Sequence, residues 1–192
     1  NTIINEAVQT EKKVLIVCNR VRTAQEQYIS LIERYPNTPI LLIHSRFKRS
    51  DRGEKECLLI GLDEKGESIN KFNTSNNACI VVSTQVVEVS LDISFDLMVT
   101  EEAPLDALIQ RFGRVNRKRS DVTIGRFKPV YVLSPPEEIK EALPYDLDII
   151  KRSYAVLSDG EMLQENSLQE KIDQVFTEID FLRIEQHSIF KE

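Results

Sequence analysis

The chain has 192 residues, 41% of them hydrophobic and 29% charged, with a net charge of −6. That balance suits one globular domain long enough to bury a core, with room for a small appendage in sequence. No apolar run comes near the roughly 20 residues a spanning helix needs, so no membrane partner is expected.

The first residues lack a basic stretch followed by an apolar core, and no initiator Met is present. They read as the start of a piece of a longer protein rather than a secretory signal. Three cysteines, Cys18, Cys57 and Cys79, include no C-x-x-C pair. Neither a disulfide framework nor a zinc site is expected, and reduced thiols point to the cytoplasm. The negative charge is unevenly spread. Residues 1–136 hold 19 Lys and Arg against 17 Asp and Glu, whereas residues 137–192 hold 6 against 14. The densest basic stretch is Arg111, Arg114, Arg117, Lys118 and Arg119, with no acid between. Such clustering bears on phosphate contacts more than the total charge does.

In chain order, Lys13 to Cys18 is a short apolar run that reads as a buried parallel strand. Ala24, Tyr28, Leu31, Ile32 and Tyr35 recur at helical spacing, and Pro36 to Pro39 ends that helix. Ile40 to Ile43 is the next strand. Residues 48–62 predict a second helix, and 63–77, rich in Gly, Asn, Ser and charge, a loop. Residues 78–83 and 96–100 are two more strands. Pro104 stands where a helix starts, and that helix runs from Leu105 to about Phe112. Residues 129–133 form a fifth strand. Alternating strands and helices imply α/β architecture with a parallel sheet. After Ser134-Pro135-Pro136 the composition turns acidic, with helical patterns over 137–143, 146–157 and 168–179. Two units are therefore expected: 1–134, the α/β domain, and 135–192, an acidic, mostly helical accessory segment.

The chemistry concentrates in Gln110-Arg111-Phe112-Gly113-Arg114-Val115-Asn116-Arg117. Leu105, Leu108, Ile109 and Phe112 share a stripe that should face the core. Gln110, Arg114 and Arg117 are spaced i, i+4, i+7 and project together from the other side if the helix runs through Gly113. Converging guanidinium groups are suited to phosphate, being always charged and able to bind two oxygens at once. A solvated basic helix end is the plainer alternative.

This stretch resembles motif VI of superfamily 2 helicases, Q-R-x-G-R-x-x-R. Upstream, residues 83–93, Ser-Thr-Gln-Val-Val-Glu-Val-Ser-Leu-Asp-Ile, resemble motif V in its usual order and spacing. Residues 14–20 resemble the strand and turn of motif IV. Ile43-His44-Ser45-Arg46-Phe47 with Asp51-Arg52 resembles motif IVa. The combination of T-Q-V-V-E-x-S-L-D-I with A-P-x-D-x-L-x-Q-R-x-G-R is narrower. It resembles the CRISPR-associated helicase-nuclease of type I systems, over about residues 12–134.

The resemblance implies a RecA-like fold and assigns roles. Arg114 and Arg117 would be arginine fingers on the γ-phosphate of an ATP held by a partner domain, with Gln110 helping to position them. Such fingers contribute about 10³ to 10⁵ in rate. Asp92, with Ser90 beside it, would meet the nucleotide ribose; a turn-forming Asp is the alternative. Thr84, with Gln85, and Arg46 would touch backbone phosphates of a single DNA strand. Thr84 is equally suited to capping the next turn, Arg46 to a solvated helix start, and His44 to a satisfied strand-end position. Many superfamily 2 members have Gly where Ser90 and Asn116 stand.

No Walker A sequence is present: Gly61 to Ser68 fits its glycine spacing, but Glu67 replaces the essential Lys. No D-E-x-H follows, and His44 and His187 are too few and too far apart for a metal site. The expectation is thus the second motor domain of an ATP-dependent DNA helicase of CRISPR interference. ATP and Mg²⁺ would be shared with a missing N-terminal RecA-like domain, and the chain alone would be inactive. Its partners would be single-stranded DNA, that RecA-like domain, a nuclease domain of the parent and the CRISPR guide complex. An RNA or DNA-repair helicase domain, or a non-catalytic interaction module, are the alternatives.

Overall fold

A computed structural model describes residues 2–60, 78–88, 94–116 and 126–176. Within them a five-stranded parallel sheet has the order β2-β3-β1-β4-β5. The strands are β1 (Lys13–Val17), β2 (Ile40–Ile43), β3 (Cys79–Ser83), β4 (Leu97–Thr100) and β5 (Val130–Val132). Each is close to the segment its apolar run predicts. β1 lies at the centre, its Leu15 level with Val81 of β3 and Met98 of β4.

Alternation along the strands sorts side chains to two faces. Val14, Ile16 and Cys18 pack with Ile80, Val82 and Leu97 on one side. There they meet α1 (Thr2–Gln9) through Ala7 and α2 (Val21–Arg34) through Ala24 and Leu31. Leu15, Val17, Val81 and Met98 point the other way, toward Leu59 of α3 (Arg49–Ile60) and Phe112 of α4 (Leu105–Phe112). Helices on both faces of a wholly parallel sheet explain why these strands are continuous apolar runs.

Two details differ from the expectation. α1 carries no helix signal long enough to read in sequence; its eight residues hold together because Ile3, Ile4, Ala7 and Val8 lie on the β1 face of the core. α2 begins three residues earlier than its periodicity implies, at Val21.

Beyond β5 the chain forms α5 (Ile139–Ala142), α6 (Leu147–Ala155) and α7 (Glu165–Val175). Asp146 caps α6, its side chain accepting from the backbone N–H groups of Asp148 and Ile149. This segment packs against α4: Tyr145 and Leu157 close over Ala103, Ala107 and Leu108.

Candidate functional site

All five strands end at one edge, and the motif residues collect in the turns that leave it. Open parallel sheets bind ligands at that edge. Asn19 and Arg20 follow β1, His44 to Arg46 follow β2, Thr84 and Gln85 follow β3, and Glu101 and Glu102 follow β4.

Thr84 is buried and starts a short 3₁₀ turn, Gln85–Glu88, its carbonyl accepting from Val87 N–H. Gln85 is half-buried and donates from Nε2 to the Asn19 carbonyl at 3.0 Å. A groove of about 490 Å³ opens here, lined by Arg20, Arg22, Arg46 and Gln85, with Leu143 and Pro144 as its far wall. Arg46 and Gln85 are thus brought to one concave surface. Arg20 donates from Nε to the Leu143 carbonyl at 2.9 Å and from Nη2 to the Lys140 carbonyl, at the C-terminal end of α5. Arg22 is exposed and pairs with Glu26 at 2.8 Å.

The turn that carries Arg46 is stiffened from beneath. His44 is buried, and its ring stacks on Phe47 with centroids 4.1 Å apart and planes 7° from parallel. Lys55 lies over the other ring, 4.6 Å from the Phe47 centroid. Burial, followed by the positive charges of Lys55 and Arg46, holds the His44 imidazole below its ordinary range. Burial likewise pushes the Cys18 thiol up to about 12 and raises the Glu102 carboxyl.

At motif VI the structure corrects the helical projection. α4 ends at Phe112 and does not run through to residue 117, so the i, i+4, i+7 spacing does not define one face. Gly113 is the C-cap, and residues 113–116 turn back beside the sheet. Phe95 N–H donates to the Arg114 carbonyl at 3.0 Å, and Asn116 N–H to the Phe95 carbonyl at 3.1 Å. Arg114 is half-buried and donates from Nη2 to the Glu88 carbonyl at 2.7 Å, which ties motif VI to the end of the motif V turn. Gln110 is exposed on the last turn of α4. Asn116 sits at φ 56°, the left-handed region that Gly enters freely and Asn tolerates best among other residues. Gly at this position would adopt the same conformation without strain. Its Nδ2 donates to the Arg126 carbonyl at 2.9 Å. Ser90, Asp92 and Arg117 lie outside the described residues, as does the glycine-spaced stretch 61–68.

The residue that sequence reasoning missed is Arg111. It is fully buried, and its guanidinium has five protein acceptors. Nε donates to Glu88 Oε1 at 2.8 Å, and Nη1 to Thr100 Oγ1 at 2.8 Å and the Glu101 carbonyl at 3.1 Å. Nη2 donates to Asn19 Oδ1 at 3.0 Å and Tyr145 Oη at 3.3 Å. The signal was present: Leu105, Leu108 and Arg111 recur every three residues on the stripe that is buried. Charge drew it into the basic cluster instead.

The donors around Arg114 fit a phosphate rather than a metal. The Glu88 carboxylate is taken up by Arg111, and the groups nearby are an amide at exposed Gln110 and the half-buried guanidinium of Arg114 just beyond α4. Among the described residues no grouping of three or more His, Cys, Asp or Glu side chains is placed to hold a metal ion.

Residues 10–120 match the family described as the CRISPR-associated nuclease/helicase Cas3, C-terminal. A CRISPR-associated nuclease/helicase Cas3 of Methanothermobacter thermautotrophicus is 33% identical over 172 residues, 88% of this chain and 19% of the relative. The crystal structure of T. fusca Cas3-ATP superposes with a TM-score of 0.74 at 25% identity, over 96% of this chain and 23% of that one. A chain of a CRISPR RNA-guided surveillance complex in a pre-nicking state superposes at 0.67 and 28% identity, covering 92% of this chain and 23% of that one. The sequence thus spans about a fifth of the length of the proteins it resembles.

Proposed function

This chain belongs to the Cas3 C-terminal family, and from that footing we propose that it is the second motor domain of an ATP-dependent DNA helicase of CRISPR interference. The observation that carries the reading is the joint between motifs V and VI. Arg114 leaves the end of α4 and is steered by the Glu88 carbonyl, at the end of the 3₁₀ turn that begins beside Thr84. One rigid piece thus bears a phosphate-seeking cation at one end and strand-facing residues at the other.

ATP with Mg²⁺, when bound by an N-terminal RecA-like domain of the parent, supplies the γ-phosphoryl group to be hydrolysed; T. fusca Cas3 bears ATP in its described structure. In this chain Arg114 and Arg117 stabilise the negative charge that builds on the equatorial oxygens, because a fixed guanidinium need not reorganise. Gln110 orients against the opposing domain, and Asp92 with Ser90 meets the ribose. The Mg²⁺ ligands belong to the partner domain.

On the other side Thr84, Gln85 and Arg46 hold one DNA strand by its phosphates, a grip independent of sequence and weakened by salt. Closure of the two domains on ATP, and reopening after hydrolysis, moves the strand. A nuclease domain of the parent and the guide complex are its further partners, in keeping with the likeness to a chain of an RNA-guided complex.

The test is ATP hydrolysis by this chain alone, then mixed with the N-terminal half of its parent, each with and without single-stranded DNA. No turnover alone and DNA-stimulated turnover in the mixture are expected. In the full-length parent Arg114→Ala lowers kcat by about 10³ or more; undiminished hydrolysis in that variant ends the motor reading. Stimulation by RNA rather than DNA would point to a different superfamily 2 helicase.

A further inference from the structure

The turns after β1, β4 and β5 enclose a second cavity, of about 250 Å³, which shares Arg20 and no other lining residue with the strand groove. Its polar lining is acidic. Glu101 and Glu102 follow β4, Glu141 stands on α5, and Arg20 is the cation among the described lining residues. Thr23, Leu133, Ser134 and Pro136 complete the wall.

The charges here are unevenly satisfied. Arg20 donates to the carbonyls of Leu143 and Lys140 rather than to an acid. Glu101 accepts from the Asn19 N–H. Glu102 is 8% exposed and lines the cavity, yet among the described residues no other residue donates a hydrogen bond to its carboxylate. Arg111, the other guanidinium within electrostatic reach of it, has its hydrogen bonds on Glu88, Thr100, Glu101, Asn19 and Tyr145. Glu141 is exposed at the rim. Enclosing a carboxylate without a donor is costly, and burial raises the Glu102 carboxyl accordingly. A donor brought in from outside the domain offsets that cost.

The chemistry of that donor follows from the lining. Three carboxylates repel a polyanion, so the cavity does not continue the strand groove. Among the described residues no three acids are grouped to hold a metal ion. A guanidinium suits acids that stand apart, because its donors fork to several oxygens while its stem packs on apolar surface such as Leu133 and Pro136. The chain spans 19% of its Methanothermobacter relative, and the rest of such a parent is the source assigned to that side chain.

We propose that this cavity is an interdomain latch, in which Glu102, with Glu101 and Glu141 around it, takes an arginine side chain from a part of the parent outside residues 1–192. The latch goes beyond the motor reading and depends neither on Arg114 nor on the groove.

The test is hydrogen exchange read by mass spectrometry on the full-length parent, as wild type, Glu102→Gln and Glu141→Gln, with L-argininamide as a competing probe. In both variants, and in wild type with the probe in excess, peptides covering residues 133–142 should exchange about tenfold faster, as in local opening. One segment outside residues 1–192 should speed up with them. Peptides over β1 and β3 stay unchanged, which shows the fold intact, and the probe has no further effect on Glu102→Gln. Should Glu102→Gln disturb β1 or β3, exposed Glu141 decides the matter, since its loss leaves the core untouched. Exchange at 133–142 that ignores both Glu141→Gln and argininamide overturns the proposal. So does a response confined to residues 1–192. Protection that dialysis removes and spermidine restores would identify a free polyamine as the cation, and the interdomain latch would fail.

Discussion

Two arginines three residues apart in sequence have opposite fates here, because burial and partners differ. Arg111 is fully enclosed and neutralised by Glu88, whose side chain is only 12% exposed. Removing one member of such a pair leaves the other charge buried and uncompensated, at a cost of about 3–5 kcal/mol. Arg111→Ala should therefore lower the urea midpoint sharply, without a change in slope that would signal a different unfolding reaction. For Arg114→Ala, the hydrogen bond lost to the Glu88 carbonyl should by itself cost about 1 kcal/mol in the same titration. The cysteines make a second contrast. Cys18 and Cys79 are enclosed beside β1 and in β3, their thiols pushed up to about 12 and about 11. The thiolate is the reactive form, so iodoacetamide at neutral pH should modify half-buried Cys57 in the native chain. Mass spectrometry should find Cys18 and Cys79 labelled only after unfolding. Thr84, Gln85, Arg46, Gln110 and Arg114 were singled out in sequence by their resemblance to helicase motifs, which are local patterns; the burial of Arg111 was not legible, because its five acceptors come from four separate segments.

Helix α4 shows how one element is set by others. Its first N–H groups have no partner within the helix, and the residue before it, Pro104, offers no side-chain cap. Leu105 N–H instead donates to Ser153 Oγ at 2.9 Å, deep between α4 and α6, and that hydroxyl donates on to the Ile149 carbonyl at 2.7 Å. Ser153→Ala leaves a buried donor without an acceptor and should destabilise the chain by about 1–3 kcal/mol, read from chemical denaturation. Asp146→Ala, removing a cap exposed to water, should cost about 1 kcal/mol. The start of α4 was readable from Pro104, and its end near Phe112 was expected too. Gly113 adopts φ −61°, so no left-handed glycine marks the stop. The helix ends because residues 114–116 find hydrogen bonds across to Phe95.

At the scale of the whole molecule, the segment after β5 lies against α4 and the end of β4 rather than apart from them. Tyr145 and Leu157 cover Ala103, Ala107 and Leu108, Ser153 caps α4, and the carbonyls of Lys140 and Leu143 receive Arg20. A chain ending at residue 134 would expose that apolar surface and strip Arg20 and Leu105 of their partners. It should melt at a lower temperature and with less cooperativity than the full chain in calorimetry. Equal melting of both would mean that 1–134 is an independent unit and the segment an appendage. By itself the sequence determined the strands, their parallel sheet and the motif residues at its edge, because period, apolar runs and spacing are local properties. Tertiary structure alone decided that the basic cluster divides into a fully buried strut at Arg111 and a half-buried cation at Arg114. It also decided that an acidic tail contributes Leu143 and Pro144 to the groove beside Arg46 and Gln85, since hydrogen bonds between residues as far apart as Arg20 and Leu143 leave no periodic trace in the chain.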